Sequence, residues 1–190
     1  MDRELQSALL KLLLLIVIVL VVVVIIRLRR LPLIENLGLK VPDGREFLKW
    51  LLWYIPIVII GEIIYFSTEG YKNANVWDFA PLVMVVKALT IGIVGPMVEE
   101  LIYRGLMFQR IAETRIGSIG ALIATAIIFT AAHYRYDLSS ILWVLVLGLY
   151  WGWVRYKTGS AIPTIVMHII VNIIAVSEFI WINGRMQSGG

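Results

Sequence analysis

The sequence predicts an all-α, polytopic membrane protein of about six transmembrane helices in one bundle, and three observations predict it. No polar residue interrupts Leu12 to Ile26, and Leu9 and Leu10 extend the run beyond Lys11. That approaches the roughly 20 apolar residues a spanning helix needs. The chain is 60% hydrophobic and 16% charged, whereas soluble domains are about a quarter charged. Basic residues gather at the ends of apolar segments, so the net charge of +4 reads as a topology signal and not as a nucleic-acid surface.

The first segment, about Leu9 to Ile26, is followed by Arg27, Arg29 and Arg30, where a cleavage site would need small residues. It is read as a retained signal-anchor, which with its basic loop makes residues 1–45 one part and 46–190 the helical bundle. The second segment is Phe47 to Phe66. It is entered through an amphiphilic stretch, Lys40 to Trp53, whose Trp50 and Trp53, with Tyr54, suit headgroup depth. The others are Pro81 to about Phe108, Ile116 to about Ala132, Ile141 to Tyr156, and Ile162 to Ile182. Turn signals separate them: Pro32, Pro42-Asp43-Gly44, Glu69-Gly70, Gly117 and Thr158-Gly159-Ser160.

Arg27, Arg29, Arg30, Lys40, Arg45 and Lys49 fall on one side of this drawing, with Arg110, Arg115, Arg155 and Lys157. The other side holds Arg3, Lys11, Lys72, Arg135 and Arg185. By the positive-inside rule both termini are outside.

Charged side chains at membrane depth are costly, so each needs a partner or a purpose. Glu100 and Arg104 are four apart and share a helix face, which predicts an ion pair. Glu99 is rotated by about 100° and is left free for chemistry. Both histidines of the chain are also in apolar segments: His133 ends Phe129-Thr-Ala-Ala-His133, and His168 opens His168-Ile-Ile-Val-Asn172. His168 and Asn172 project from one face. Glu62 and Lys87 are expected to pair or to snorkel toward the interface. Folding the chain at Thr114 to Gly117 sets position 99 opposite about position 130. Counting from the helix ends, however, leaves His133 a turn or two above Glu99, a mismatch that tilt or a kink near Gly92, Gly95 and Pro96 must absorb.

Other protease chemistries lack their residues. Cysteine is absent, which removes a thiol nucleophile, a thiolate metal site and disulfides. There is no Gly-x-Ser-Gly and no His-Glu-x-x-His. Tyr136-Asp137 resembles half of an intramembrane aspartyl site, without the Gly-x-Gly-Asp partner.

Glu99-Glu100-Leu-Ile-Tyr-Arg104, Phe129-Thr-Ala-Ala-His133 and His168-Ile-Ile-Val-Asn172, in that order, resemble the three motifs of the CAAX-protease and bacteriocin-processing family (CPBP, or Abi) of membrane proteases. The resemblance covers about residues 81–176. It implies peptide-bond hydrolysis in a membrane cavity. Glu99 would be the base that activates water with His133, His168 and Asn172 would stabilise the oxyanion, and Glu100 with Arg104 would hold the first motif. The physical properties of the residues agree: a glutamate in low dielectric can serve as a base, and a histidine with an asparagine suits an oxyanion hole.

A metal-free mechanism with no cofactor is expected, because no pair of histidines at i, i+4 offers a chelating unit. The zinc alternative would use Glu99, His133 and His168. The resemblance implies a hydrophobic peptide or membrane-protein substrate and leaves the oligomeric state open. The chain is shorter than the prenyl-protease branch leads one to expect, so a prokaryotic plasma-membrane member is anticipated. Two other functions compete. One is a catalytically silent scaffold or bacteriocin-immunity-type regulator, which gives no reason for every motif position to be filled. The other is an ion-coupled transporter, for which the expected internal repeat is missing.

Overall fold

The computed structural model describes residues 3–67 and 80–188, with side chains to residue 181. The described residues are helical apart from short connections, and no strand occurs among them. We number the helices α1 (Arg3–Leu28), α2 (Leu33–Asn36), α3 (Gly44–Ser67), α4 (Pro81–Ala112), α5 (Gly117–Ala132), α6 (Leu138–Thr158) and α7 (Ile162–Ser188). Five of them (α1, α3, α4, α6 and α7) are long and apolar enough to cross a membrane, and α5 is a shorter apolar helix of 16 residues. All six apolar segments read from the sequence are therefore helices. The Glu69-Gly70 turn, Lys72 and the Arg185 side chain lie outside the described residues.

The exterior is apolar because its solvent is lipid. On α1 only Ala8 and Ile26 are buried, while Leu13, Leu14, Leu20 and Val24 face outward. The core forms where α3, α5, α6 and α7 meet, from Tyr54, Val58, Phe129, Leu147, Trp151, Val154, Met167 and Val171. Tyr54 is 1% exposed, donates its hydroxyl to the Met167 carbonyl at 3.1 Å and stacks on Tyr150. It is a core residue, not part of the interfacial belt expected of it, whereas Trp53 is exposed as a belt residue should be. A phenol can be buried once its hydroxyl has a partner. Lys87 pairs with Glu4 of α1 at 2.8 Å, and Glu62 lies instead beside Glu178 of α7.

Two wide π turns, Thr90–Val94 and Leu101–Met107, interrupt α4 on either side of the carboxylates. The first has a covalent cause. Pro96 has no N–H to give to the preceding turn, and the Gly95 N–H reaches back five residues to the Thr90 carbonyl. The Ile91 carbonyl is left without a helical donor, and the Asn172 side chain of α7 supplies one at 2.9 Å. Such re-phased turns are frequent at functional sites.

The loop between α1 and α3 is built into the end of the bundle. Gly38, at φ +64, donates no side chain into the space that the Arg155 guanidinium fills, and its carbonyl accepts the Ala161 N–H at 2.7 Å. Arg110 donates to Asn36 at 2.7 Å, and Arg155 donates to the Arg104 carbonyl at 2.7 Å. A Cβ on Gly105 would stand 2.6 Å from the Leu37 carbonyl oxygen. Gly105, Leu37, Gly38 and Ala161 thus share one level, several residues inside the end of α4.

Candidate active site

That shared level resolves the depth mismatch left by counting from the helix ends. Measured from Gly105 and Ala161, Glu99 and His168 stand about 9 Å and about 10 Å along their helices. They meet: His168 Nε2 lies 3.9 Å from Glu99 Oε2. The α4–α5 hairpin has its own register. The rings of Tyr103 and Phe129 touch edge to face at 5.3 Å, a pairing symmetric about residue 116. The same register carries position 99 to the level of His133 and not of residue 130. At 1.5 Å per residue, the 16 residues of α5 rise about 24 Å, less than the roughly 30 Å hydrocarbon core.

The predicted ion pair is present and fully buried. Arg104 Nη1 donates to Glu100 Oε1 at 2.8 Å, with both side chains 0% exposed. The same oxygen accepts His168 Nδ1–H at 3.0 Å. Arg104 also donates to the Gly148 carbonyl at 3.1 Å and lies over the rings of Phe129 and Trp151. A buried guanidinium needs this density of partners to offset its lost hydration. Glu100 is therefore occupied on one side by a cation and on the other by an imidazole. Glu99, with a side chain 35% exposed, keeps its carboxylate accessible.

Each imidazole is held in a defined orientation. His168 stacks on Trp151 with ring centres 4.3 Å apart, meets the edge of Phe129 at 5.7 Å, and hydrogen-bonds Glu100. Its Nε2 is thereby turned toward Glu99. His133 Nδ1 contacts the Phe129 carbonyl at 2.8 Å. A carbonyl only accepts, so Nδ1 carries the proton and Nε2 of the neutral ring keeps its lone pair. The ring is packed between Phe129 at 4.7 Å and Tyr136 at 5.2 Å.

The structure thus gathers Glu99, Glu100, Arg104 and His168 in direct contact, with His133 joined to them through Phe129. Asn172 reaches α4 from the same face of α7 as His168, but one of its two N–H groups is used on Ile91. Among the described residues no group of three His, Asp or Glu side chains is assembled as a metal cluster. Glu99 and His168 face each other, and the Nδ1 contacts of His133 with Phe129 and of His168 with Glu100 leave the Nε2 atom of each neutral ring with a lone pair.

Sequence reasoning passed over Phe129 as more than a motif letter, although its ring touches Tyr103, His133, Trp151 and His168. It also passed over Trp151 and Gly148. Gly148 and Gly152, four apart on α6, form a small-residue face of the kind that lets membrane helices approach closely, and Trp151 lies on the same side. That spacing was the available signal. Asp137, the acid of the half-aspartyl pattern, caps α6 instead. Its carboxylate accepts from the Ser140 N–H, the Ser140 hydroxyl and the Ser139 hydroxyl.

Residues 81–174 match the family described as type II CAAX prenyl endopeptidase Rce1-like. An Escherichia coli protein known as uncharacterized 24.3 kDa protein is 25% identical over 118 residues, which cover 60% of this chain and 54% of the relative. The chain thus spans about half the length of that curated relative. No solved structure matches. Through residues 81–174, which hold every site residue described above, the chain belongs to the Rce1-like CAAX endopeptidase family, part of the CPBP family of multi-pass membrane proteases.

Proposed function

We propose that this protein is a metal-free intramembrane endopeptidase in which Glu99 is the base. One observation carries the reading. Of two adjacent carboxylates, Glu100 is tied to Arg104 and His168 at 0% exposure, whereas Glu99 remains accessible beside His168 Nε2. A water between Glu99 and the unprotonated Nε2 of His133 gives its proton to Glu99, and its oxygen bonds to the scissile carbonyl carbon. The negative oxygen of the tetrahedral intermediate is stabilised by the second N–H of Asn172 and by His168 in its doubly protonated form, which donates Nε2–H to the site while Nδ1–H stays on Glu100. Glu99 then returns the proton to the amide nitrogen as the C–N bond breaks. The substrate is a hydrophobic peptide or a membrane-embedded segment, met at the depth of the helices that carry the site. We place the protein in a prokaryotic plasma membrane.

Purified protein in detergent, offered a panel of fluorogenic hydrophobic peptides, tests this. Glu99→Gln should reduce cleavage to background, and His133→Ala should lower kcat by roughly 10²–10⁴-fold, the usual worth of general base catalysis. Cleavage unchanged in both variants overturns the assignment. Loss of activity in chelator, restored by zinc, overturns the metal-free mechanism and returns Glu99, His133 and His168 to the ligand role.

A further inference from the structure

The turn between α5 and α6 presents a second polar group to the site. Tyr136 packs its ring against the edge of His133, with centres 5.2 Å apart at 69°, and its N–H donates to the His133 carbonyl at 3.0 Å. The residue is 53% exposed, so substrate can reach it. No hydrogen bond to its hydroxyl occurs among the described residues. Its position is fixed from the other side by Asp137, whose three hydrogen bonds to Ser139 and Ser140 start α6 immediately after the tyrosine.

A phenol O–H is a short, rigid donor, and its ring costs little entropy to order. The site has use for one: Asn172 spends one N–H on Ile91, and His168 directs Nδ1–H to Glu100. We propose that Tyr136 is a further substrate-contacting residue, which donates its hydroxyl to the scissile carbonyl oxygen while its ring holds the His133 imidazole in place. This rests on the endopeptidase reading above. It differs from that reading in giving the α5–α6 turn, and not only the three helices that carry the motifs, a part in the chemistry.

The experiment compares wild type, Tyr136→Phe, Tyr136→Leu and Glu99→Gln on one fluorogenic peptide, with kcat and KM determined separately and thermal unfolding followed in the same detergent. Tyr136→Phe keeps the ring and should lower kcat by roughly 10- to 100-fold, somewhat less than the loss of an oxyanion donor buried in a rigid site, with KM and melting temperature unchanged. Tyr136→Leu loses ring and hydroxyl and should fall further in kcat. Tyr136→Phe at wild-type kcat, with Glu99→Gln inactive, overturns the role of the hydroxyl and leaves the endopeptidase reading standing. Glu99→Gln at wild-type kcat removes the reading and the inference together. A rise in KM alone for Tyr136→Phe overturns donation to the transition state.

Discussion

Glu99 and Glu100 are neighbours in sequence with opposite surroundings, and the difference predicts opposite behaviour on mutation. Glu100 neutralises Arg104, and both are fully buried. Removing one partner of such a pair leaves an uncompensated charge and costs about 3–5 kcal/mol. Glu100→Gln should therefore lower the melting temperature and reduce folded yield, with activity lost as a consequence. Glu99 is partly exposed, and its contact with His168 Nε2 is long, at 3.9 Å, so Glu99→Gln should leave the melting temperature near wild type while abolishing cleavage. The pair of measurements separates a structural carboxylate from a chemical one. Equal destabilisation by both substitutions would contradict the division. The i, i+4 spacing made Glu100–Arg104 legible in the sequence, because an ion pair on one helix face depends on local geometry alone. The Glu100–His168 bond was not legible, since it depends on how far α7 rises into the bundle.

The helices owe their less regular features to single residues, and two of these can be tested. Gly105 is where α4 touches the backbone of the α1–α3 loop, with a would-be Cβ 2.6 Å from the Leu37 carbonyl oxygen. A carbonyl oxygen fixed in a packed loop cannot yield as a side chain does, so Gly105→Ala should cost roughly 1–3 kcal/mol. Gly44, with nothing within 4 Å of its would-be Cβ, is the control: Gly44→Ala should leave the melting temperature unchanged. Thermal unfolding in detergent reads both. Helix α6 depends on its cap. The hydrogen bonds from Ser139 and Ser140 hold the Asp137 carboxyl well below the usual aspartate range. Its stabilisation is then complete above the ordinary aspartate value. It is lost as pH falls, because the unfolded chain takes up the proton first. Asn caps about as well as Asp. Asp137→Asn should match wild type near neutral pH and lose less stability in acid, whereas Asp137→Ala should cost about 1 kcal/mol at neutral pH. An acid profile for Asp137→Asn identical to wild type would show that the aspartate charge contributes nothing.

For the molecule as a whole, the apolar periodicity and length of the segments made six helices legible, but not the level at which they cross. The α6–α7 turn at Ser160–Ala161 is drawn inward by the Gly38 carbonyl, and Pro96 re-phases α4, so positions counted from helix ends were displaced by about a turn. The result is a polarised bundle. Arg110 and Arg155 meet the α1–α3 loop at one end, while Tyr136 and Asp137 form the turn at the other, and Glu99, His133 and His168 lie on the bundle side of that turn. The positive-inside rule assigns the first end to the cytosol. Arg115 and Arg135 are exposed on opposite ends, and the chain has no native cysteine, so single substitutions report orientation without background. Arg135→Cys should react with a membrane-impermeant maleimide in intact cells, and Arg115→Cys only after permeabilisation. That outcome makes the Glu99 site accessible from the non-cytosolic side, where peptides presented outside the cell should be cleaved by intact cells. The reverse labelling pattern would turn the whole bundle over, and with it the compartment from which substrate enters, while leaving the internal geometry of the site untouched.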